Sequence, residues 1–192
     1  MALEQHLTSP AGSGAAETQL IPIQEVSTGQ AAAIRNGAIK AVVQKASMEL
    51  RMPPDKLLVR GLRPKADLDY TYETWYEKTG ATGATYETMS AGGTASKDKD
   101  RYIGIYGVQD ESSEINCPLV RIKVGNSIKV IWNLQDLYAD NEGPRIGLSP
   151  SVVIIPPNTP YTIERYVENA ASSARIVLKG FLVERIGKTY SP

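Results

Sequence analysis

The sequence predicts a mainly β protein: a single eight-stranded antiparallel sandwich of the jelly-roll type, preceded by one α-helix and an extended arm. Apolar and polar residues alternate with period two in several short segments after residue 55. Clusters of Gly, Pro, Asn and Ser separate these segments, and helical spacing precedes them. Eight strands without intervening helices indicate a sandwich or barrel, and a double-sheet jelly roll fits that number.

The first 26 residues are predicted to be an extended N-terminal arm. They are rich in Ala, Ser, Gly, Thr and Gln, with an isolated apolar patch at Leu20, Ile21 and Ile23. Such a segment cannot bury enough apolar surface to order itself. We therefore expect these three apolar residues to contact a partner.

One amphipathic helix is predicted over about residues 29 to 50, within a region that spans 27–54. Ser27 and Thr28 supply an N-cap signal, and Pro53-Pro54 ends the helix. Apolar residues form one stripe, and the opposite face is basic and polar. We expect the stripe, which includes Ile34 and Val42, to contact a sheet or a neighbouring subunit. A membrane surface is the less favoured alternative, because the stripe contains neither Trp nor Phe.

The β-domain is predicted over residues 55–186, followed by a C-terminal tail of residues 187–192. The predicted strands are 57–62, one through Leu68, Tyr70 and Tyr72, 101–107, 120–124, 128–134, 152–155, 161–167 and 174–185. The turn Gly125-Asn126-Ser127 predicts a hairpin of the fourth and fifth strands. Two long loops, 79–100 and 135–151, are expected to serve function or assembly.

The residues that usually carry catalysis are scarce. His6 is the single histidine and lies in the arm, so a Ser-His-Asp triad in the β-domain and a multi-histidine metal site are excluded. Cys117 is the single cysteine, which excludes an intrachain disulfide and favours a small buried hydrophobe. Lys and Arg (21) balance Asp and Glu (21), which disfavours general nucleic-acid binding.

Two groups of carboxylates are candidate sites. Asp67, Asp69 and Glu73 alternate with apolar residues, which predicts a solvent-facing side of a strand. Asp136, Asp140 and Glu142 could supply oxygen ligands to Ca²⁺ from a loop, although their spacing differs from that of an EF-hand. The sequence therefore predicts no catalytic residue, no cofactor and, at most, this weak calcium site.

Aromatic residues predict a contact surface. The chain contains ten Tyr and one Phe, and Tyr70, Tyr72, Trp75, Tyr76 and Tyr86 lie close together in the sequence. Tyr and Trp combine a large contact area with a polar group, which suits surfaces that meet proteins or sugars. We favour a protein interface at these residues and retain carbohydrate as the alternative.

Targeting signals are not evident in this sequence. No stretch approaches the 18 apolar residues that span a bilayer, and the start lacks the basic and apolar regions of a signal peptide. We therefore expect synthesis in a cytoplasm, without a transmembrane segment.

The polar arm, the amphipathic helix and the eight-strand domain together resemble viral single-jelly-roll capsid proteins. The resemblance is to the small major capsid proteins of icosahedral bacterial and archaeal viruses with an internal membrane. It is one of architecture over roughly residues 55–186 and includes no diagnostic motif. It implies a non-enzymatic virion protein that assembles with copies of itself and with other virion proteins, and whose termini tie neighbouring subunits together.

Three alternatives belong to other classes. A phage decoration, spike or vertex protein would share the fold and bind a shell from outside. A carbohydrate-binding module would be monomeric and would bind sugar at Tyr70, Tyr72 and Trp75. An enzyme would have to depend on carboxylates and tyrosines, with Asp136, Asp140 and Glu142 as its candidates.

Overall fold

The structure is a computed structural model that describes residues 28–75, 77–92, 100–112, 116–138 and 145–187. Helix α1 (Thr28–Leu50) comes first, and a short helix α2 (Pro64–Leu68) follows the first strand. The strands of the described residues are β1 (Leu57–Gly61), β2 (Lys78–Thr79), β3 (Thr85–Gly92), β4 (Tyr102–Asp110), β5 (Leu119–Val124), β6 (Ser127–Asn133), β7 (Arg145–Ile155), β8 (Tyr161–Val167), β9 (Ser173–Ala174) and β10 (Ile176–Arg185). Two 3-10 helices span Pro54–Lys56 and Gln135–Tyr138.

The long strands form two four-stranded antiparallel sheets. The first sheet has the order β1-β10-β4-β7 and the second has the order β3-β8-β5-β6. If the eight long strands are numbered along the chain, the first pairs with the eighth, the second with the seventh, the third with the sixth and the fourth with the fifth. This nested pairing is the jelly-roll arrangement, which confirms the predicted fold class. The total is ten strands because β2 and β9 add a two-residue ladder.

The innermost pair of this arrangement is the predicted hairpin of β5 and β6. Val120 lies opposite Trp132 and Ile122 lies opposite Val130. Gly125 turns the chain at a φ of +61°, a conformation that favours glycine. All four side chains point inward because they occupy alternate positions of their strands.

The main apolar core lies between the two sheets. Trp132, Ile122 and Ile163 of the second sheet and Ile105 and Leu182 of the first are fully buried in it. Cys117 is also fully buried in this core, and burial raises the pKa of its thiol to about 12. This confirms that Cys117 packs as a small apolar residue.

Helix α1 covers the outer face of the first sheet, and its bounds confirm the predicted helix. Ala38, Val42 and Ala46 are buried against a second apolar cluster that includes Tyr102 and Phe181. The stripe of the helix therefore packs on its own sheet. Arg35, Lys40 and Gln44 lie on the exposed side.

The end of α1 is held to the sheet by a hydrogen bond. Tyr102 Oη donates to Glu49 Oε2 over 2.6 Å, and Lys45 Nζ donates to the other carboxylate oxygen over 2.6 Å. The bond from Lys45 is the largest contribution that lowers the pKa of Glu49. Burial first, and then the hydrogen bond to Glu49, raise the pKa of Tyr102.

The prediction of a strand through Leu68, Tyr70 and Tyr72 is wrong, because a short helix, α2, ends at Leu68. Pro64 occupies the first turn of α2, where its missing N–H costs nothing, and Asp69 ends this helix in the left-handed region at φ +51°. The alternation of apolar and acidic residues here therefore does not reflect two faces of a strand. Asp67 is buried, contrary to the predicted solvent-facing side.

The predicted loop of residues 79–100 contains a strand, β3. The sequence of β3 lacks the alternation of large apolar and polar residues that predicts a strand, because two of its inward positions are Ser90 and Gly92. The ring of Tyr161 on β8 occupies the space where a side chain at position 92 would lie. The second predicted loop, 135–151, includes a 3-10 helix and the beginning of β7.

Candidate interaction surface

The outer face of the second sheet presents a mixed surface of aromatic, charged and apolar side chains. Because Val120, Ile122 and Ile163 point into the core, the residues between them point outward. We call this face the outer surface, and it consists of Tyr86 and Thr88 from β3, Leu119, Arg121 and Lys123 from β5, Ile128, Lys129 and Ile131 from β6, and Thr162, Glu164 and Tyr166 from β8. The adjacent residues Ile128 and Lys129 both belong to it because the pairing of β5 with β6 shifts by one residue there.

A carboxylate shared by two cations lies at the centre of the outer surface. Arg121 Nε donates to Glu164 Oε2 over 2.5 Å, and Lys123 Nζ donates to Oε1 over 3.0 Å. Burial raises the pKa of Glu164, but the hydrogen bonds and charges of the two cations outweigh it and hold the pKa below its usual range. Glu164 is therefore ionised at neutral pH, and the three groups together carry one net positive charge.

Two tyrosines extend this network toward β3. The rings of Tyr86 and Tyr166 meet edge to face with centroids 5.2 Å apart. The guanidinium carbon of Arg121 lies 3.7 Å from the centroid of the Tyr86 ring, which is a cation–π contact. Arg121 is thereby held between an aromatic ring and a carboxylate, and its position is fixed before any partner binds.

No helix and no apolar cluster of the described residues covers the outer surface, although Glu164 at its centre is buried by its neighbours. Neither of the two apolar clusters of the described residues includes a residue of this surface, and α1 packs on the strands of the other sheet. The Lys123 side chain is 32% exposed, and Lys129 and Thr88 are exposed. Ile128, Ile131 and both tyrosines are half-buried. The face thus offers apolar area and positive charge side by side.

The predicted aromatic surface is only partly accessible. Tyr70 is buried, and its ring contacts the half-buried Trp75 with centroids 5.0 Å apart. Trp75 itself packs against the main core. Tyr72 is 53% exposed, and Tyr76 lies outside the described residues. Tyr70 therefore cannot stack on a sugar, because its ring lies inside the protein.

The remaining predicted interface residues either pack against their own chain or lie outside the described residues. Val42 of α1 is fully buried against the first sheet, so its contacts are with its own chain and it is not available to a partner. Ile34 is half-buried and packs on the same cluster. Leu20, Ile21 and Ile23 lie outside the described residues.

Most of the predicted calcium site lies outside the residues that the structure describes. Asp136 lies in the 3-10 helix Gln135–Tyr138, whereas Asp140 and Glu142 lie outside the described residues. No group of three or more metal-binding side chains occurs among the residues that the structure describes.

A network of buried ion pairs lies near β1. Arg60 donates two hydrogen bonds to Asp67, of 2.6 and 2.7 Å, and a third of 3.2 Å to Glu184. Arg101 Nε lies 3.3 Å from the second oxygen of Glu184. The hydrogen bond to Asp67 is the largest contribution that raises the pKa of Arg60. This network fastens α2 to the first sheet, which is a structural role.

Cavities among the described residues are small or open. One of about 60 Å³ lies beside Asp67 and Arg101 and extends to Tyr161. Sites for small organic ligands usually enclose about 300–1,000 Å³, so this cavity has room for water-sized groups. A wider, open depression is lined by Asn116 and residues 169–173, with Glu77 as its carboxylate.

Sequence reasoning missed the outer surface. The alternation Val-Arg-Ile-Lys-Val in β5 indicated an outward face that carries Arg121 and Lys123. The sequence alone did not indicate that β8 lies beside β5, which brings Glu164 opposite Arg121. The missing information was therefore the order of the strands and the existence of β3, which carries Tyr86.

Comparison of the chain with protein-family models, with curated proteins and with solved structures found no match. Among the described residues, no helix is long and apolar enough to cross a membrane.

Proposed function

We propose that this protein is a non-enzymatic virion structural protein, a capsid shell subunit that self-assembles through its jelly-roll faces and its N-terminal arm. The observation that carries the proposal is the asymmetry of the sandwich. One sheet is closed by the chain's own helix, whereas the other presents the outer surface. A subunit that tiles with its neighbours needs such a prepared face, and aromatic and Arg side chains are enriched at protein interfaces.

Two further features support assembly over the other uses of this fold. The interior between the sheets is filled by large apolar side chains such as Trp132, Ile163 and Leu182. Cupin enzymes and many lipid or sugar binders need that interior, or its mouth, for a ligand. In addition, both sheets end in edge strands, β1 and β7 in one and β3 and β6 in the other, which a neighbouring chain could cover.

The carbohydrate-binding alternative is less well supported. Its proposed platform required Tyr70, Tyr72 and Trp75 to form one exposed plane. Tyr70 is buried, and its ring is tilted by 57° from that of Trp75, so the two rings do not share a plane.

Light scattering of the purified chain over a range of concentrations tests the proposal. We expect the full-length chain to form large closed particles or capsomer-sized multimers. A full-length variant with Leu20→Ser, Ile21→Ser and Ile23→Ser should remain smaller, because the arm loses its apolar contacts. Met48→Ser is the matched control, since this apolar residue is 74% exposed on α1 and outside the arm.

The outcomes separate the hypotheses. A chain that remains monomeric at high concentration would contradict the shell role. Discrete trimers or pentamers that never form larger particles would instead favour a decoration, spike or vertex protein.

A further inference from the structure

The N-terminal arm and the remainder of the chain carry opposite charges. Residues 1–27 contain Glu4, Glu17 and Glu25 and neither Lys nor Arg, so all 21 basic residues and 18 of the 21 acidic ones lie in residues 28–192. The overall balance of zero therefore conceals an acidic arm and a basic body. The segment of residues 17–25 has one Glu at each end and Leu20, Ile21 and Ile23 between them.

The outer surface complements this pattern. Its charged residues are Arg121, Lys123, Lys129 and Glu164, which sum to two positive charges. Its half-buried apolar residues include Ile128 and Ile131 beside these cations. Strands of six or seven residues are about 20–23 Å long. A nine-residue segment spans at most about 30 Å, so its two carboxylates can reach cations at separate places on this face.

We propose that the outer surface binds the segment of residues 17–25 from a neighbouring copy of this chain. This inference rests on the proposed shell function and names the partner of the open face. The apolar residues of the segment cover Ile128 and Ile131, and its carboxylates pair with Lys123 and Lys129. Arg121 remains bound to Glu164 and Tyr86 and supplies a fixed positive charge beside the segment.

The short span between Glu25 and α1 favours a segment from another copy. Glu25 is three residues before Thr28, the first residue of α1, and three residues span at most about 11 Å. Helix α1 covers the far side of the sandwich. The two sheets are about 10 Å apart and a helix adds about 5 Å more, so the outer surface is more than about 15 Å from the axis of α1. The backbone of Glu25 therefore cannot lie on the outer surface of its own chain.

A charge-reversal experiment on the full chain tests the inference. The arm variant carries Glu17→Lys and Glu25→Lys, and the surface variant carries Lys123→Glu and Lys129→Glu. A third chain combines all four changes. We expect each reversal to raise the concentration for half-assembly at least tenfold, and the combination to return it to within about threefold of the wild type.

Two controls keep the result interpretable. Lys40→Glu with Lys56→Glu changes the same net charge at exposed positions away from the outer surface, and it should leave assembly unchanged. Lys129→Glu alone changes an exposed residue, so it reports on binding even if the change at Lys123 disturbs Glu164 and impairs folding. Circular dichroism verifies that each variant is folded.

Crosslinking identifies which copy supplies the arm. A carbodiimide joins a carboxylate to an amine that it contacts, so Glu25 should crosslink to Lys123 or Lys129. In a mixture of isotopically heavy and light chains, these crosslinks should join heavy to light copies. Crosslinks confined to one copy would overturn the inference.

The inference and the proposed function fail in different ways. If the wild type assembles but neither reversal affects assembly, or if the combined chain is not rescued, the inference is overturned and the shell role stands. A wild-type chain that does not assemble overturns the proposed function, and the inference with it.

Discussion

The two sheets of this sandwich share one core but differ on their outer faces. The first sheet is covered by α1, and Phe181 and Tyr102 on its outer face are 2% exposed. The second sheet carries Arg121, Glu164 and Tyr166 on its outer face, and no helix of the described residues packs on them. Apolar outer residues call for a permanent cover, whereas a charged and aromatic face tolerates water and remains available to a partner. The comparison predicts that outer residues of the first sheet serve stability and those of the second serve association.

The largest difference in loss of stability is expected between alanine substitutions at two aromatic residues, one on each outer face. Phe181→Ala should lower the free energy of unfolding by about 3–5 kcal/mol, because it empties a site packed against Val42 and Tyr106. Tyr166→Ala should cost about 1 kcal/mol, mainly its edge-to-face contact with Tyr86. Urea unfolding below the assembly concentration measures both. Equal losses would contradict the comparison.

A smaller difference in stability is expected between alanine substitutions at two glycines, Gly104 of β4 and Gly37 of α1. A Cβ on Gly104 would lie 2.6 Å from Phe181 Cζ and 2.9 Å from Val42 Cγ2, so Gly104→Ala should cost about 1–3 kcal/mol through overpacking. Gly37→Ala is the control on the exposed side of α1, where nothing lies within 4 Å. It should stabilise the chain by about 0.5–1 kcal/mol, since Ala favours a helix. If both changes prove neutral, the helix does not pack closely on the sheet.

The smallest expected effect is the contribution of Glu164, on the second sheet, to the loss of stability in acid. The cations around Glu164 hold its pKa below the value of about 4.3 in the unfolded chain. The unfolded chain therefore binds more protons as the solution becomes acidic. The stability from this group is present above the unfolded pKa and is lost as pH falls through the folded pKa.

Glu164→Gln removes this contribution. We expect the variant to be about 1 kcal/mol less stable at pH 7 and to lose less stability than the wild type between about pH 5 and 3. Thermal unfolding at a series of pH values measures the slope. Glu73→Gln is the control, since its carboxylate is 71% exposed in a solvent-exposed pair with Lys65. Parallel slopes for wild type and Glu164→Gln would show that the ion triad does not affect acid stability.

Local patterns predicted most of the fold correctly. Helix α1 was confirmed, and its Ala38, Val42 and Ala46 are buried at helical spacing. The hairpin of β5 and β6 was confirmed because its apolar residues alternate with the period of a strand. The failures have the opposite origin. Leu68 and Tyr70 alternate with acidic residues, but they follow Pro64, which starts a helix. In β3 the inward position 92 is a glycine, and Tyr161 of β8 occupies the space beside it.

The sequence by itself determined the class of the fold, the position of the helix, the scarcity of catalytic groups and the acidic character of the arm. These properties depend on composition, on periodicity and on near neighbours in the chain. The tertiary structure alone decided that Val42 packs on its own sheet, that Tyr70 is buried and that Arg121 meets Glu164 and Tyr86 on an open face. Glu164 follows Arg121 by 43 residues in the chain, and the two side chains meet only because the jelly roll pairs β8 with β5. No local period encodes that pairing, nor the pairing of β8 with β3 that brings Tyr86 to the same face.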